Sequence, residues 1–262
     1  MELDDAYANA EYIPNAMDYP PRWERQAEAY RRRLSVTGRA RLGLMYGHGA
    51  RETLDLFLPE GPVRGLFVFV HGGYWRRFDR SVWSHLSEGM RANGHAVAMP
   101  SYDLCPRVRI SDITRQVAAA ITVAAHEIAG PVRLAGHSAG GHLVARMLAP
   151  GMLPDDVAGR LTHVMPISPL SDLRPFLKTS MNADFKLDEN SAIAESPITQ
   201  PVPDVSVSIR VGGAERPAFI DQARWLSDAW GCSLQIVPDL HHFDIIDALE
   251  DPASPAVAQL LS

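Results

Sequence analysis

The chain has 262 residues, 46% hydrophobic and 21% charged, which describes a soluble globular protein large enough for one α/β unit with one core. A formal net charge of −6, a pI near 5.9 and the absence of any basic run exclude nucleic acid and anionic membrane as expected partners. No apolar run approaches the ~18 residues that span a bilayer. The acidic start MELDDAYANAEYIP lacks a basic-then-apolar leader, so no signal peptide is expected. Cys105 and Cys232 form no paired motif and read as buried free thiols in a reducing, cytoplasmic setting.

In chain order, residues 1–21 show little periodicity, end at Pro20-Pro21 and are expected to wrap the surface or cover a pocket. Residues 23–33 (WERQAEAYRRR) predict an exposed helix with a solvated face. Residues 40–45 and 53–58 predict an antiparallel strand pair at a sheet edge. LFVFV at 66–70 is a continuous apolar run, as expected of a strand buried on both faces of a parallel sheet. Another buried strand begins near His95 and passes into an irregular loop ending at Pro106. A helix follows, with Ser111 or Asp112 as its cap and Gly130 as its stop.

Residues 132–147, VRLAGHSAGGHLVARM, then read as strand, sharp turn and helix. Strands at 162–167, 205–211 and 233–237, a helix at 217–230 and a closing helix at 243–249 complete the pattern. Residues 172–200 break the rhythm and are expected to form a lid-like excursion. Alternating strands and helices, without repeats, define an α/β fold with a mostly parallel central sheet and helices on both faces, a single domain over 1–262.

Gly136-His137-Ser138-Ala139-Gly140 is Gly-x-Ser-x-Gly in the context its chemistry requires. A serine at a strained strand-to-helix corner holds its hydroxyl clear of the sheet, within reach of a base and of a substrate carbonyl. The glycine pair in His71-Gly72-Gly73-Tyr74-Trp75 follows a central strand, where unpaired backbone N–H groups suit an oxyanion hole. Glu215 is the only acid at the tip of the loop after 205–211 and is the expected orienting carboxylate, with Asp172 in reserve. Of the adjacent His241 and His242, His242 is the expected base because it directly precedes Phe243, which would anchor the last helix. The other histidines and the cysteines show no metal-ligand spacing, so neither metal nor cofactor is expected.

HGGYW at 71–75, GHSAGGH at 136–142, GGAERPAF at 212–219 and HHFDIID at 241–247 together resemble the serine-dependent kynurenine formamidase branch of the α/β-hydrolase superfamily, near the hormone-sensitive-lipase-like esterases. The likeness runs from about residue 40 onward, and Tyr102-Asp103-Leu104-Cys105-Pro106 matches the Tyr-x-Leu-x-Pro loop of those esterases. The resemblance implies the three-layer α/β-hydrolase fold, Ser138 as nucleophile, His242 as base, and the N–H groups of Gly73, Tyr74 and Ala139 around the oxyanion. It departs from the family at the acid, usually aspartate, where this chain has Ala214 and Glu215. Trp75, His137 and Tyr102 are expected at the substrate pocket. The implied activity is hydrolysis of a small ester or formamide through an acyl-enzyme, with a small molecule as the partner. A general short-chain carboxylesterase and a non-catalytic ligand-binding protein are the alternatives at this point. The sequence is silent on oligomeric state, and a homodimer is compatible with it.

Overall fold

The computed structural model describes residues 1–262. Eight strands form one sheet: β1 Ala40–Met45, β2 Thr53–Phe57, β3 Leu66–Val70, β4 Ala96–Pro100, β5 Val132–His137, β6 Leu161–Ile167, β7 Ser206–Gly212 and β8 Ser233–Val237. Their order across the sheet is β1-β2-β4-β3-β5-β6-β7-β8. β1 and β2 run antiparallel at one edge, β2 is antiparallel to β4, and every later pairing is parallel. The helices are α1 Tyr19–Val36, α2 Glu88–Ala92, α3 Ile110–Glu127, α4 Ala139–Arg146, α5 Asp155–Ala158, α6 Asn182–Phe185, α7 Glu189–Glu195, α8 Pro217–Trp230 and α9 Pro255–Leu261. None is long and apolar enough to cross a membrane.

β3 shows why the sheet lies inside. All five of its residues are buried, but they divide by parity. Leu66, Val68 and Val70 join a cluster with Ile113, Val117 and Ile121 of α3. Phe67 and Phe69 point the other way, into a cluster with Trp23, Tyr30 and Leu34 of α1 and Val257 and Leu260 of α9. A side chain of this size contributes about 2 kcal/mol when fully buried, so this strand alone supplies on the order of 10 kcal/mol against chain entropy.

Three expectations about helices need correction. α3 begins at Ile110 with Arg109 at its cap, so Ser111 and Asp112 lie inside its first turn, where the Asp112 carboxylate accepts the Arg109 N–H at 2.9 Å. The first helix starts at Tyr19, so Pro20 and Pro21 do not end a coil but occupy a first turn. The N–H groups there have no helical partner in any case, and the fixed φ of proline suits the position. Its face is not wholly solvated either, because Trp23, Ala27, Tyr30 and Leu34 recur at helical spacing and are buried. The closing helix lies at Pro255–Leu261, whereas residues 243–249 form turns and a short 3-10 segment, Asp247–Leu249. Side chains have captured the backbone there: the His241 N–H donates to Asp244 and the Phe243 N–H to the His241 ring. The true closing helix begins where Ser254 caps it, accepting from the Val257 N–H.

Residues 172–200 fold as short helical turns whose Phe176, Phe185 and Ala192 sink into the main core. The amino-terminal segment is tied down as well. Tyr7 is buried against Phe176 and Phe219, with ring centroids 4.6 and 5.9 Å away. The Tyr74 hydroxyl donates to the Tyr7 carbonyl, and the Gln222 amide donates to the Tyr7 hydroxyl at 2.9 Å.

Candidate active site

β5 delivers Ser138 into a corner that few side chains adopt, with φ 57° and ψ −116°, and α4 starts at the next residue. The turn closes because its glycines let backbone meet backbone. A Cβ on Gly136 would lie 2.2 Å from the Gly140 carbonyl oxygen, and one on Gly140 would lie 2.0 Å from that of Val70. Strand, corner, helix and β3 are thereby locked together. The Ser138 N–H donates to the Ile167 carbonyl at 2.8 Å, which ties the corner to β6.

The loop after β3 rests against this corner. A Cβ on Gly72 would stand 2.7 Å from the His137 carbonyl oxygen and 3.0 Å from the Ser138 Cβ. Beyond it the backbone takes three successive positive φ angles, at Gly73, Tyr74 and Trp75. The N–H groups of Gly73, Tyr74 and Ala139 donate to no backbone carbonyl and are free to meet developing negative charge. His71 braces the loop: its ring donates to the Gly72 carbonyl at 2.8 Å and stacks on Tyr102 at 4.3 Å. Burial pushes the His71 pKa down to about 4, so this ring stays neutral.

Loops after β7 and β8 bring in the acid and the base. Glu215 Oε2 lies 2.6 Å from His242 Nδ1, and both side chains are buried. Glu215 Oε1 accepts the Gly212 N–H at 2.8 Å and the Ser168 hydroxyl. The two loops are joined directly, the Ala214 N–H donating to the Leu240 carbonyl at 2.9 Å. The His242 ring lies between His137 and Phe219, with centroids at 4.5 and 4.4 Å. Burial, and after it the neighbouring His242, holds the His137 pKa far below the usual histidine range. A neutral His137 leaves the adjacent base free to become imidazolium without a like charge beside it.

Ser138 and His242 line one cavity of about 430 Å³. Neither the serine hydroxyl nor His242 Nε2 has a hydrogen-bond partner in the protein, an open arrangement that commonly tightens when substrate arrives. Gly72, Gly73, Tyr74 and His137 share this cavity, and residues of the amino-terminal segment roof it.

Several expected residues stand elsewhere. Trp75 and Tyr102 do not line the cavity: both are fully buried in the core, Trp75 against His142 and Phe185, and Tyr102 under His71. Asp172 is turned away, paired with Arg174 at 2.7 Å. His241 bonds the Tyr19 hydroxyl at 3.0 Å and faces Asp244. The amino-terminal segment covers the pocket, one of the two roles expected of residues 1–21, although no motif marks its individual lining residues. Sequence reasoning missed Ser168; only its position at the end of β6, at the carboxyl edge of the sheet, hinted at a role.

This fold and this constellation define a serine hydrolase of the α/β type, and the chain belongs to the α/β-hydrolase family, whose model matches residues 67–261. Among its relatives are kynurenine formamidases. That of Salmo salar is 30% identical over 229 residues, covering 80% of this chain and 77% of the relative. That of Drosophila melanogaster is 30% identical over 234 residues, covering 79% and 77%. A crystal structure of a candidate thioesterase from Silicibacter sp. TM1040 superposes with a TM-score of 0.98 at 60% identity, covering 100% of both chains. Esterase B from Lactobacillus rhamnosis shares the fold, with a TM-score of 0.67 at 15% identity over 91% of this chain and 92% of that one.

Proposed function

We propose that this hydrolase cleaves aryl formamides through a formyl-enzyme, with Ser138 as nucleophile, His242 as general base and then acid, and Glu215 as the orienting carboxylate. The reading rests on one observation above all: the buried 2.6 Å pair of Glu215 and His242 faces the cavity that Ser138 lines. His242 Nε2 accepts the Ser138 proton as the hydroxyl oxygen attacks the formyl carbon, and the N–H groups of Gly73, Tyr74 and Ala139 receive the oxyanion. As the C–N bond breaks, His242 returns the proton to the departing nitrogen, leaving a formyl ester on Ser138. Water gives its proton to His242 and its oxygen to the formyl carbon; formate leaves and the serine recovers its proton. The kinship with kynurenine formamidases and an aromatic-walled cavity both support an aryl substrate. The free thiols of Cys105 and Cys232 agree with a cytoplasmic setting.

A second reading, an esterase or thioesterase, is favoured by the likeness to the 60% identical candidate thioesterase. Turnover of N-formylkynurenine, p-nitrophenyl acetate and acetyl-coenzyme A by the wild type and Ser138→Ala separates the two. Formamide hydrolysis that vanishes in the variant supports the proposal. Ester or thioester turnover with no formamide turnover overturns it in favour of the second reading.

A further inference from the structure

We propose that Asn9 determines leaving-group specificity, its carboxamide donating a hydrogen bond to a carbonyl substituent on the aryl leaving group; this rests on the serine-hydrolase reading of the Ser138 cavity. Asn9 lines that cavity and is only 9% exposed, yet its side chain has no hydrogen-bond partner in the protein. Its carbonyl is already engaged by the Tyr12 N–H at 3.0 Å, so the backbone is fixed while the amide stays free. Two residues earlier, Tyr7 is held by Gln222, Tyr74 and Phe176, and four residues later Ile13 is buried. The carboxamide therefore sits on a pinned span rather than a loose tail. The amide atoms themselves stay open to the cavity, so an unpartnered carboxamide on an otherwise buried residue is available to a ligand, whose carbonyl replaces the water it meets in the free protein.

Apart from Ser138 and His242, which carry the chemistry, and the ring nitrogens of Trp23, Trp83 and His137, which are buried without partners, the other polar side chains along the cavity are engaged or in solvent. Asp4 accepts from the Ser180 N–H and Arg76 pairs with Asp184, while Glu11 and Arg77 are exposed. Asn9 offers two donors and one acceptor, which favours a carbonyl as its guest. The guest belongs to the leaving group on grounds of size. A one- or two-carbon acyl group, formyl or acetyl, takes on the order of one or two water volumes of ~30 Å³, so most of the roughly 430 Å³ is left for the other half of the substrate. Trp23, Phe78, Trp83 and Phe243 give that space flat apolar walls suited to an aryl ring. Residue 9 lies ahead of the 67–261 stretch that matches the family model.

The test uses phenyl acetate and its ortho-, meta- and para-acetyl derivatives as substrates, with wild type, Asn9→Ala and Asn9→Asp as enzymes. For each enzyme the kcat/KM of every acetyl ester is divided by that for phenyl acetate, so the activating effect of the acetyl group cancels between enzymes. The expected result is a ratio for at least one isomer that falls about five- to tenfold in both variants, the size of one lost hydrogen bond. Asn9→Asp keeps an acceptor but loses the donor, so it shares the loss. Unchanged ratios for all three isomers overturn the proposal. So does an equal loss on every ester, which marks Asn9 as a purely structural member of the segment. Because these probes are esters, a failure of formamide hydrolysis would remove the formamidase reading and leave this one standing.

Discussion

Glu215 engages His242 with one oxygen and is itself gripped by the other: Oε2 meets His242 Nδ1 at 2.6 Å, while Oε1 takes the Gly212 N–H and the Ser168 hydroxyl. Glutamate has one more rotatable bond than the aspartate usual at this place. Two donors on one oxygen fix the extra torsion and aim the second oxygen at the ring.

Replacing that carboxylate by its neutral isostere keeps the shape and removes the charge that stabilises the imidazolium. Glu215→Gln is therefore expected to lower kcat by about 10³- to 10⁴-fold, with a much smaller change in KM. Steady-state hydrolysis of a nitrophenyl ester reads both constants. A loss of less than about tenfold would assign the acid role to another group.

Ser168 is expected to act only through Glu215. In Ser168→Ala the carboxylate keeps the Gly212 N–H and loses one charge-assisted bond, so kcat falls by about tenfold with KM unchanged. The same change in a Glu215→Gln background is expected to add almost nothing, because the aim of a neutral amide no longer matters. Independent, multiplying effects in the double variant would show that Ser168 serves the fold alone.

Much of this arrangement is legible in the sequence because covalent geometry and periodicity force it. LFVFV can only be satisfied with apolar neighbours on both faces, and Gly136 and Gly140 are the residues that a corner at Ser138 demands. The acid and base loops follow strands in chain order, so Glu215 and His242 were within reach of pattern alone. What escaped depends on contacts distant in sequence. Trp75 follows the oxyanion loop directly, yet its positive φ turns the ring into the core. Pro20-Pro21 reads equally well as a chain break or a first helical turn, and packing of Trp23 beneath Phe78 and Trp83 decides for the helix. Nothing local to residues 1–18 reveals that Tyr7 fits between Phe176 and Phe219.

That fit predicts how the roof over the site comes off. Tyr7→Ala removes a buried ring and its hydrogen bond from Gln222, a loss of about 3 kcal/mol or more in a packed site. The damage is expected to be local, because the segment is held mainly by this ring and by surface ion pairs such as Arg216 with Asp5. Amide exchange should accelerate across residues 3–18 while the sheet keeps its protection. KM for an aryl substrate should rise by about tenfold, reflecting the loss of roughly half of that packing energy from binding. Unchanged exchange in the segment would refute the anchoring role.

His85 ties stability to acidity in the short 3-10 segment Ser84–Ser87, which packs against α1. It is 2% exposed, and neither ring nitrogen has a partner. Burial first, and then the guanidinium groups of Arg22 and Arg31, pushes its pKa down to about 4 from an ordinary 6.5. Between those values the unfolded chain binds a proton that the native protein refuses. Stability is therefore fully present above pH 6.5 and is lost as the pH falls toward 4, by about 1.4 kcal/mol per pH unit and about 3 kcal/mol in all. His71 and His142, pushed down to about 4 and about 3 by burial, steepen the same limb. His85→Leu removes one of these groups at similar volume, so the fall of the urea midpoint with acid should become shallower while stability at pH 8 changes less. An acid limb with the same slope in the variant would show that the His85 ring is protonated as readily in the native protein as in the unfolded chain.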